Sequence, residues 1–351
     1  MKSSSTIKPL LSTKQRFSWR TIQVIIWLAG VAIFIALLAW PQVGIDAFWN
    51  FLIPVAPALF AFAPGLWRNL CPLGSTSMAT RHLGLSKKKT ISVAWQRRLG
   101  LIGIVILLLI VPLRHVVLNT NGPATALVIA LLALLAIIMG THFEWKSGWC
   151  SGLCPINPVE KLYGQRPLFT VPNAHCTSCH QCVTPCQDSL KGISPFRVNK
   201  TLAASFGAIL LTGGFPGYIW GWFQVPDYLV ADGFSHLLLV YGYPLGGLVV
   251  SVTIFLIIMK FLPKRHEVLL VRFFAVAAIS CYYWFRLPAL FGFGLFPGDG
   301  MLVDLTTTLP VWFPVVSQIF TTLLFFWWFV GRKESRRGWL FRPSFATSLS
   351  R

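Results

Sequence analysis

Four cysteines stand at positions 176, 179, 182 and 186 of the stretch HCTSCHQCVTPCQ (175–187), separated by two, two and three residues. Thiolates at successive C-x2-C spacing can hold consecutive irons of one [4Fe–4S] cube, and the last iron then takes a thiolate from elsewhere in the chain. Cys176, Cys179 and Cys182 are therefore expected to hold three irons. Cys71 and Cys154, each followed by proline, are the candidates for the remote ligand. Cys186 has Pro185 before it and Gln187 after it, so the run lacks a terminal Cys-Pro. Zinc is the competing occupant of clustered cysteines. Zinc sites, however, pair two C-x2-C knuckles across a longer gap, and three cysteines at successive x2 spacing favour the cube.

The chain has eight cysteines, at 71, 150, 154, 176, 179, 182, 186 and 281. Two cubes with all-cysteine ligation need eight thiolates, whereas Cys281 is set apart, deep in an apolar stretch. Either one cluster is complete, or a second uses Cys186 with members of the Cys71, Cys150, Cys154 set. In the second case one iron lacks a cysteine. His142, His175, His180 and Asp188 are the candidates to replace it.

These residues sit in a chain of 351 residues with 55% hydrophobic and 11% charged composition and a mean hydropathy of +0.67. Such a composition excludes an ordinary soluble domain. Eight apolar stretches are each long enough to cross a hydrocarbon core of ~30 Å: 21–40, 47–66, 99–117, 123–141, 201–223, 234–259, 267–289 and 309–330. In lipid, backbone groups must be satisfied within the segment, so these stretches are expected to be helices. No small-residue cleavage site follows the first, which reads as a retained span rather than a cleaved signal. The expected fold is an all-α polytopic membrane protein of about eight transmembrane helices. A small cytoplasmic ferredoxin-like iron–sulfur segment is inserted between helices 4 and 5. Residues 1–141 form the first membrane region, 142–200 the cysteine segment, 201–330 the second membrane region and 331–351 a basic tail.

The net charge of +20 does not imply nucleic acid. Of 30 Lys and Arg, 27 fall before the first span, in alternate connections and after the last span, leaving only Arg114, Arg272 and Arg286. The remaining connections carry Asp46, Asp227, Asp232, Asp299 and Asp304. This is the positive-inside pattern. It places both termini and the first seven cysteines in the cytoplasm, where thiols stay reduced and a disulfide framework is not expected. Arg272 and Arg286 lie toward span ends, where snorkelling to the interface would account for them.

Spans one and two return at GLWRNLCPLG (65–74), and spans three and four return at GWCSGLCPIN (148–157). Both returns carry Leu-Cys-Pro after a Trp, as in a duplicated hairpin. With WCSGLCPINPVEKL (149–162), LCPLG (70–74) and the run 176–186, the chain resembles membrane polyferredoxins of the NapH, NosR and CcoG type over roughly residues 20–200. The resemblance implies [4Fe–4S] clusters held by Cys71, Cys150, Cys154, Cys176, Cys179, Cys182 and Cys186. It also implies electron transfer between a quinone pool or cytoplasmic donor and a membrane or periplasmic redox partner. The chain departs from those families in three ways: Trp67 occupies the first cysteine position of the earlier motif, only one cysteine run is present, and four further spans follow.

On the far side of the bilayer, His115, His236 and Arg286 are candidates for a quinone or haem site. The Gly- and Phe-rich loop 287–303 is a candidate docking surface for a partner. There is no C-x-x-C-H haem motif, Walker loop or dinucleotide fingerprint. A transporter or metal-handling permease with a sensing cluster, or an assembly factor with a structural one, is the competing functional class. No acidic residue lies in mid-span to mark a substrate path.

Overall fold

The computed structural model describes residues 11–144, 146–175, 202–333 and Leu340. Cys176, Cys179, Cys182, Cys186, His180 and Asp188 lie outside the described residues. The principal helices among the described residues are numbered in chain order. The first four are α1 (Thr13–Ala39), α2 (Pro41–Phe62), α3 (Pro64–Leu70) and α4 (Pro72–His82). Then come α5 (Val93–Leu118), α6 (Gly122–His142) and the short α7 (Asn157–Tyr163). The last four are α8 (Leu202–Trp222), α9 (Phe234–Phe261), α10 (Lys264–Leu290) and α11 (Phe313–Gly331). Eight of them, α1, α2, α5, α6 and α8 to α11, are long and apolar enough to cross a membrane. Among the described residues there is no strand, only two isolated bridges.

Local chemistry sets the ends. Ser12 accepts the Gln15 amide while the Gln15 side chain accepts the Ser12 amide, a capping box that starts α1 well before its apolar stretch. Ser92 and Asn121 cap α5 and α6 in the same manner, through the amides of Trp95 and Ala124. The second span begins and ends about a turn earlier than its apolar stretch, because Pro64 disfavours helix at Ala63. Ala63 takes φ −139, ψ 55, and the chain restarts as α3.

The central core joins α2, α5, α7, α8, α10 and α11 through Phe60, Leu107, Tyr163, Phe215, Tyr218, Ile279, Phe325 and Phe329. Outward positions such as Leu28, Ile35, Leu131, Val249, Phe320 and Leu323 stay exposed, as a lipid-facing surface requires. Because the spans alternate in direction, 63–92 and 143–175 open onto one face of the bundle, called here the cysteine face. The connections 223–233 and 291–312 open onto the opposite face. Among the described residues, five π-helical turns occur, including Asp46–Leu52, Arg114–Leu118 and Trp149–Leu153. Such turns re-aim side chains and often accompany functional sites. Here they carry Asn50, Arg114, His115 and Cys150. Snorkelling fails for Arg286: it is 2% exposed and turned into the bundle, where carbonyl and amide oxygens replace water around its guanidinium.

Candidate functional site

On the cysteine face, each Leu-Cys-Pro sequence ends a helical turn. Proline excludes α geometry from the residue before it, and both cysteines obey: Cys71 has φ −54, ψ 121 and Cys154 has φ −56, ψ 120. The two motifs are thus the same turn built twice. Pro72 then opens α4, and the backbone amides of Gly74 and Leu73 donate to the Cys71 sulfur, as that of Ile156 does to Cys154. A Cβ placed on Gly74 would lie 3.6 Å from both the Cys150 sulfur and the Cys71 Cβ, so these two cysteines are neighbours. The turn carrying Cys150 and Cys154 rests on α5, where a Cβ on Gly103 would meet the Leu153 carbonyl oxygen at 2.8 Å.

Burial, the Cys150 thiol and the Glu160 carboxylate push the Cys71 thiol up to about 12, against the opposing amides of Gly74 and Leu73. Burial, Glu160, Cys71 and Cys150 push Cys154 well above the ordinary thiol range. Each group raises its neighbours because anions gathered in a dry site repel one another. A cationic metal centre would reverse that balance, and thiolates would then be its natural ligands. Among the described residues, no three of His, Cys, Asp and Glu converge closely enough to hold a single metal ion. Ligands of a cube bind separate irons and stand further apart than ligands of one ion. The donor set of soft sulfur with directed amides suits such a cluster.

A buried polar frame holds the turns together. Arg68 lies 3.2 Å from Glu160, with both side chains 3% exposed. It donates to the Cys150 carbonyl at 2.7 Å and to the Ser151 hydroxyl at 3.2 Å. Lys146 donates to the Arg68 carbonyl at 3.1 Å. Asn69, two residues before Cys71, accepts the Ala174 amide at 3.1 Å and donates to the Pro172 carbonyl at 2.8 Å. His175 follows, 1% exposed. The described chain therefore leads into the cysteine run from a point bonded to the Cys71 turn. Trp67, at the position of the absent motif cysteine, packs edge-on against Phe60. His142 is not brought to the thiols; its ring bonds its own helix at the Ile138 carbonyl. Cys281, remote in sequence from the cysteine turns, packs at the edge of the central core.

The opposite face gathers His115 and Arg286 as well, with residues that sequence reasoning passed over. The Nδ1 atom of His115 lies 2.6 Å from Asp227 Oδ1 and its Nε2 lies 3.0 Å from the Trp222 carbonyl oxygen. Both partners are acceptors, so both ring nitrogens are engaged. Asn119 donates to the other Asp227 oxygen. Arg114 sits between the rings of Trp49 and Trp222, 5.2 Å from each centroid, and donates to Asn50 Oδ1 at 3.3 Å. Arg286 donates to the same oxygen at 2.6 Å and to the Trp49 carbonyl at 2.8 Å. Asp299 accepts the Asp227 amide at 2.7 Å. Burial, then the nearby Asp227 carboxylate, raises Asp299 to about 6. His236 stands apart from this network, half-buried and stacked on Tyr228 at 4.2 Å. Its Nδ1 faces the Asp232 carbonyl.

A cavity of about 40 Å³ lies among Arg114, His115, Trp222, Arg286 and Asp299. Pockets for cofactor-sized ligands run to several hundred cubic ångströms, so a quinone ring does not fit here. Nor does His115 present a nitrogen to a haem iron. The missed residues had a faint signal: Arg114 was one of three basic residues outside the basic connections, and Asp227 and Asp299 belonged to the acidic ones. No protein-family model, curated protein or solved structure matches the chain.

Proposed function

We propose that this chain is a membrane-integral iron–sulfur electron-transfer protein. It would sit in the bacterial cytoplasmic membrane with both termini cytoplasmic, and take electrons from a quinone pool or a cytoplasmic donor. The observation that carries this is the convergence of two identical Leu-Cys-Pro turns with the Asn69-anchored strand of chain that leads into Cys176. Cys71, Cys150 and Cys154, with Cys176, Cys179, Cys182 and Cys186, would hold one or two [4Fe–4S] clusters, which supply one-electron redox chemistry when bound. The chain's own contribution is to direct the amides of Leu73, Gly74 and Ile156 at sulfur. Arg68 and Lys146 place positive charge nearby, and the apolar spans exclude water from behind the site.

Passage to the other face must cover a hydrocarbon core of ~30 Å. With His115 fully engaged and the cavity small, that step falls to a membrane or periplasmic partner, and loop 287–303 is the surface offered to it. A permease gains one observation, the inward-facing Arg114 and Arg286, since ionisable groups in spans mark substrate paths. Both lie at one end of their spans with no partner in mid-membrane, which favours the electron carrier.

Anaerobically purified protein tests the proposal by low-temperature EPR with iron and acid-labile sulfide counted per chain. Iron near four atoms per chain means one cluster, and near eight means two. Cys179→Ser removes or alters one signal. Stoichiometric zinc without labile sulfide overturns the proposal.

A further inference from the structure

The opposite-face network does not close on itself. Arg286 is 2% exposed; its donations to Trp49 and Asn50 leave from one terminal nitrogen, the Tyr282 side chain lies beside it, and its Nε has no hydrogen-bond partner among the described residues. A guanidinium offers five N–H donors and cannot shed its charge, and a buried donor left unmade is unfavourable. Arg114 and Arg286 share the cavity wall with two carboxylates, Asp227 and Asp299. Asp227 is consumed by His115 and Asn119. Asp299 accepts a backbone amide and is raised to about 6. Asp46 reaches the arginines only through the Asn50 amide, whose nitrogen donates to it at 2.8 Å.

We propose that Arg114 and Arg286 form a binding site for one small inorganic anion, a halide or a compact oxyanion such as nitrate, in the cavity beneath loop 291–300 that His115 also lines. Size supports this class. A water needs roughly 10–15 Å³ measured in this way, so about 40 Å³ admits an ion of a few atoms and excludes a lipid headgroup. The site has a built lid. Gly300 has φ +66, and a Cβ there would run into the Arg286 guanidinium, so this loop position closes over the arginine only as glycine. Tryptophan faces on both sides of Arg114 supply a dry wall, which strengthens attraction between an arginine and an anion. The inference does not rest on the electron-transfer proposal.

The test uses full-length protein in neutral detergent, with thermal unfolding followed in sodium chloride, sodium nitrate and sodium gluconate at equal ionic strength. Chloride or nitrate is expected to raise Tm saturably, by about 2 °C or more, while gluconate does not. Equilibrium dialysis with radioactive chloride is expected to find one site per chain. Arg286→Gln removes the chloride-specific rise. Should that variant fail to fold, Arg286→Lys decides, with chloride affinity falling at least about tenfold as the planar set of donors is lost. Equal stabilisation by gluconate, or unchanged chloride affinity in the folded variant, overturns the proposal.

Discussion

The two faces of this bundle solve one problem with opposite materials. Each sets a buried arginine against a π-helical turn and lets it donate to that turn's backbone: Arg68 to the Cys150 carbonyl at 2.7 Å, Arg286 to the Trp49 carbonyl at 2.8 Å. On the cysteine face the arginine meets one carboxylate directly, Glu160 at 3.2 Å, and the groups left over are thiols. On the opposite face arginine meets amide and carbonyl oxygens, and the carboxylates belong mainly to His115 and a backbone amide. One face therefore combines a direct ion pair with spare soft donors, and the other sets its arginines against neutral oxygens. Soft donors invite a metal centre, and hard cationic ones invite an anion.

The largest expected effect follows from the paired face. Arg68→Ala and Glu160→Ala each leave an uncompensated buried charge, and each is expected to cost about 3–5 kcal/mol in denaturant unfolding. The double variant costs clearly less than the sum, because both changes break one interaction. Additive costs would mean the two residues act independently and would erase the contrast between faces.

Removing the imidazole on the unpaired face costs less. His115→Ala strands the Trp222 carbonyl and one Asp227 oxygen, but Asn119 still serves Asp227. A loss of about 1–3 kcal/mol is expected in the same unfolding measurement. A loss as large as that of Arg68→Ala would show that His115, rather than Arg114 or Arg286, organises this face.

Why one face could be read in the sequence and the other could not is a matter of contact range. Cys71 and Cys154 announced themselves because proline fixes the conformation of the residue before it, a rule that acts between neighbours and here gave the same φ and ψ twice. The eight spans were legible for the same reason, since hydrophobic length is a local property. Arg286 was misread as snorkelling because its fate depends on Asn50, 236 positions away. The role of Asp227 depends on His115, 112 positions away. Glu160 and Arg68 were likewise invisible until α7 folded against the Cys71 turn. Span ends shifted where single residues outweighed hydropathy, as Pro64 did at Ala63.

A matched pair of glycines sharpens the comparison at smaller amplitude. Gly300→Ala combines a left-handed φ of +66 with a collision against Arg286. Gly103→Ala has helical backbone and must displace only the Leu153 and Cys154 carbonyls, met at 2.8 and 3.2 Å. Overpacking costs about 1–3 kcal/mol, and Gly300→Ala is expected at the upper end with Gly103→Ala below it. If the two proposals hold, the locations of the damage also separate: Gly103→Ala perturbs the EPR signals of the proposed cluster, and Gly300→Ala perturbs the chloride response. If Gly103→Ala left the EPR unchanged, the Cys150–Cys154 turn would not be seated on α5 as described.

The smallest effect is a slope rather than a loss. Asp299 titrates near 6 in the folded protein against an ordinary value of 3.8, raised by burial first and by Asp227 second. A carboxyl whose folded value is raised holds its proton more tightly in the native state. Its contribution to stability is present in full below about pH 4 and is lost as pH rises through about 6. Stability from this group therefore falls between pH 4 and 6, opposite in sign to a carboxylate held low by a salt bridge. Asp299 is only half-buried, so solvent screening keeps the slope shallow. Asp299→Asn keeps an oxygen to accept the Asp227 amide and removes the titration, so Tm plotted against pH should flatten over this window. A slope that survives unchanged in Asp299→Asn would assign the titration to another group. Were the slope reversed, with stability rising from pH 4 to 6 in wild type alone, Asp299 would be held as a carboxylate by the neighbouring arginines. The opposite face would then be as fully paired as the cysteine face.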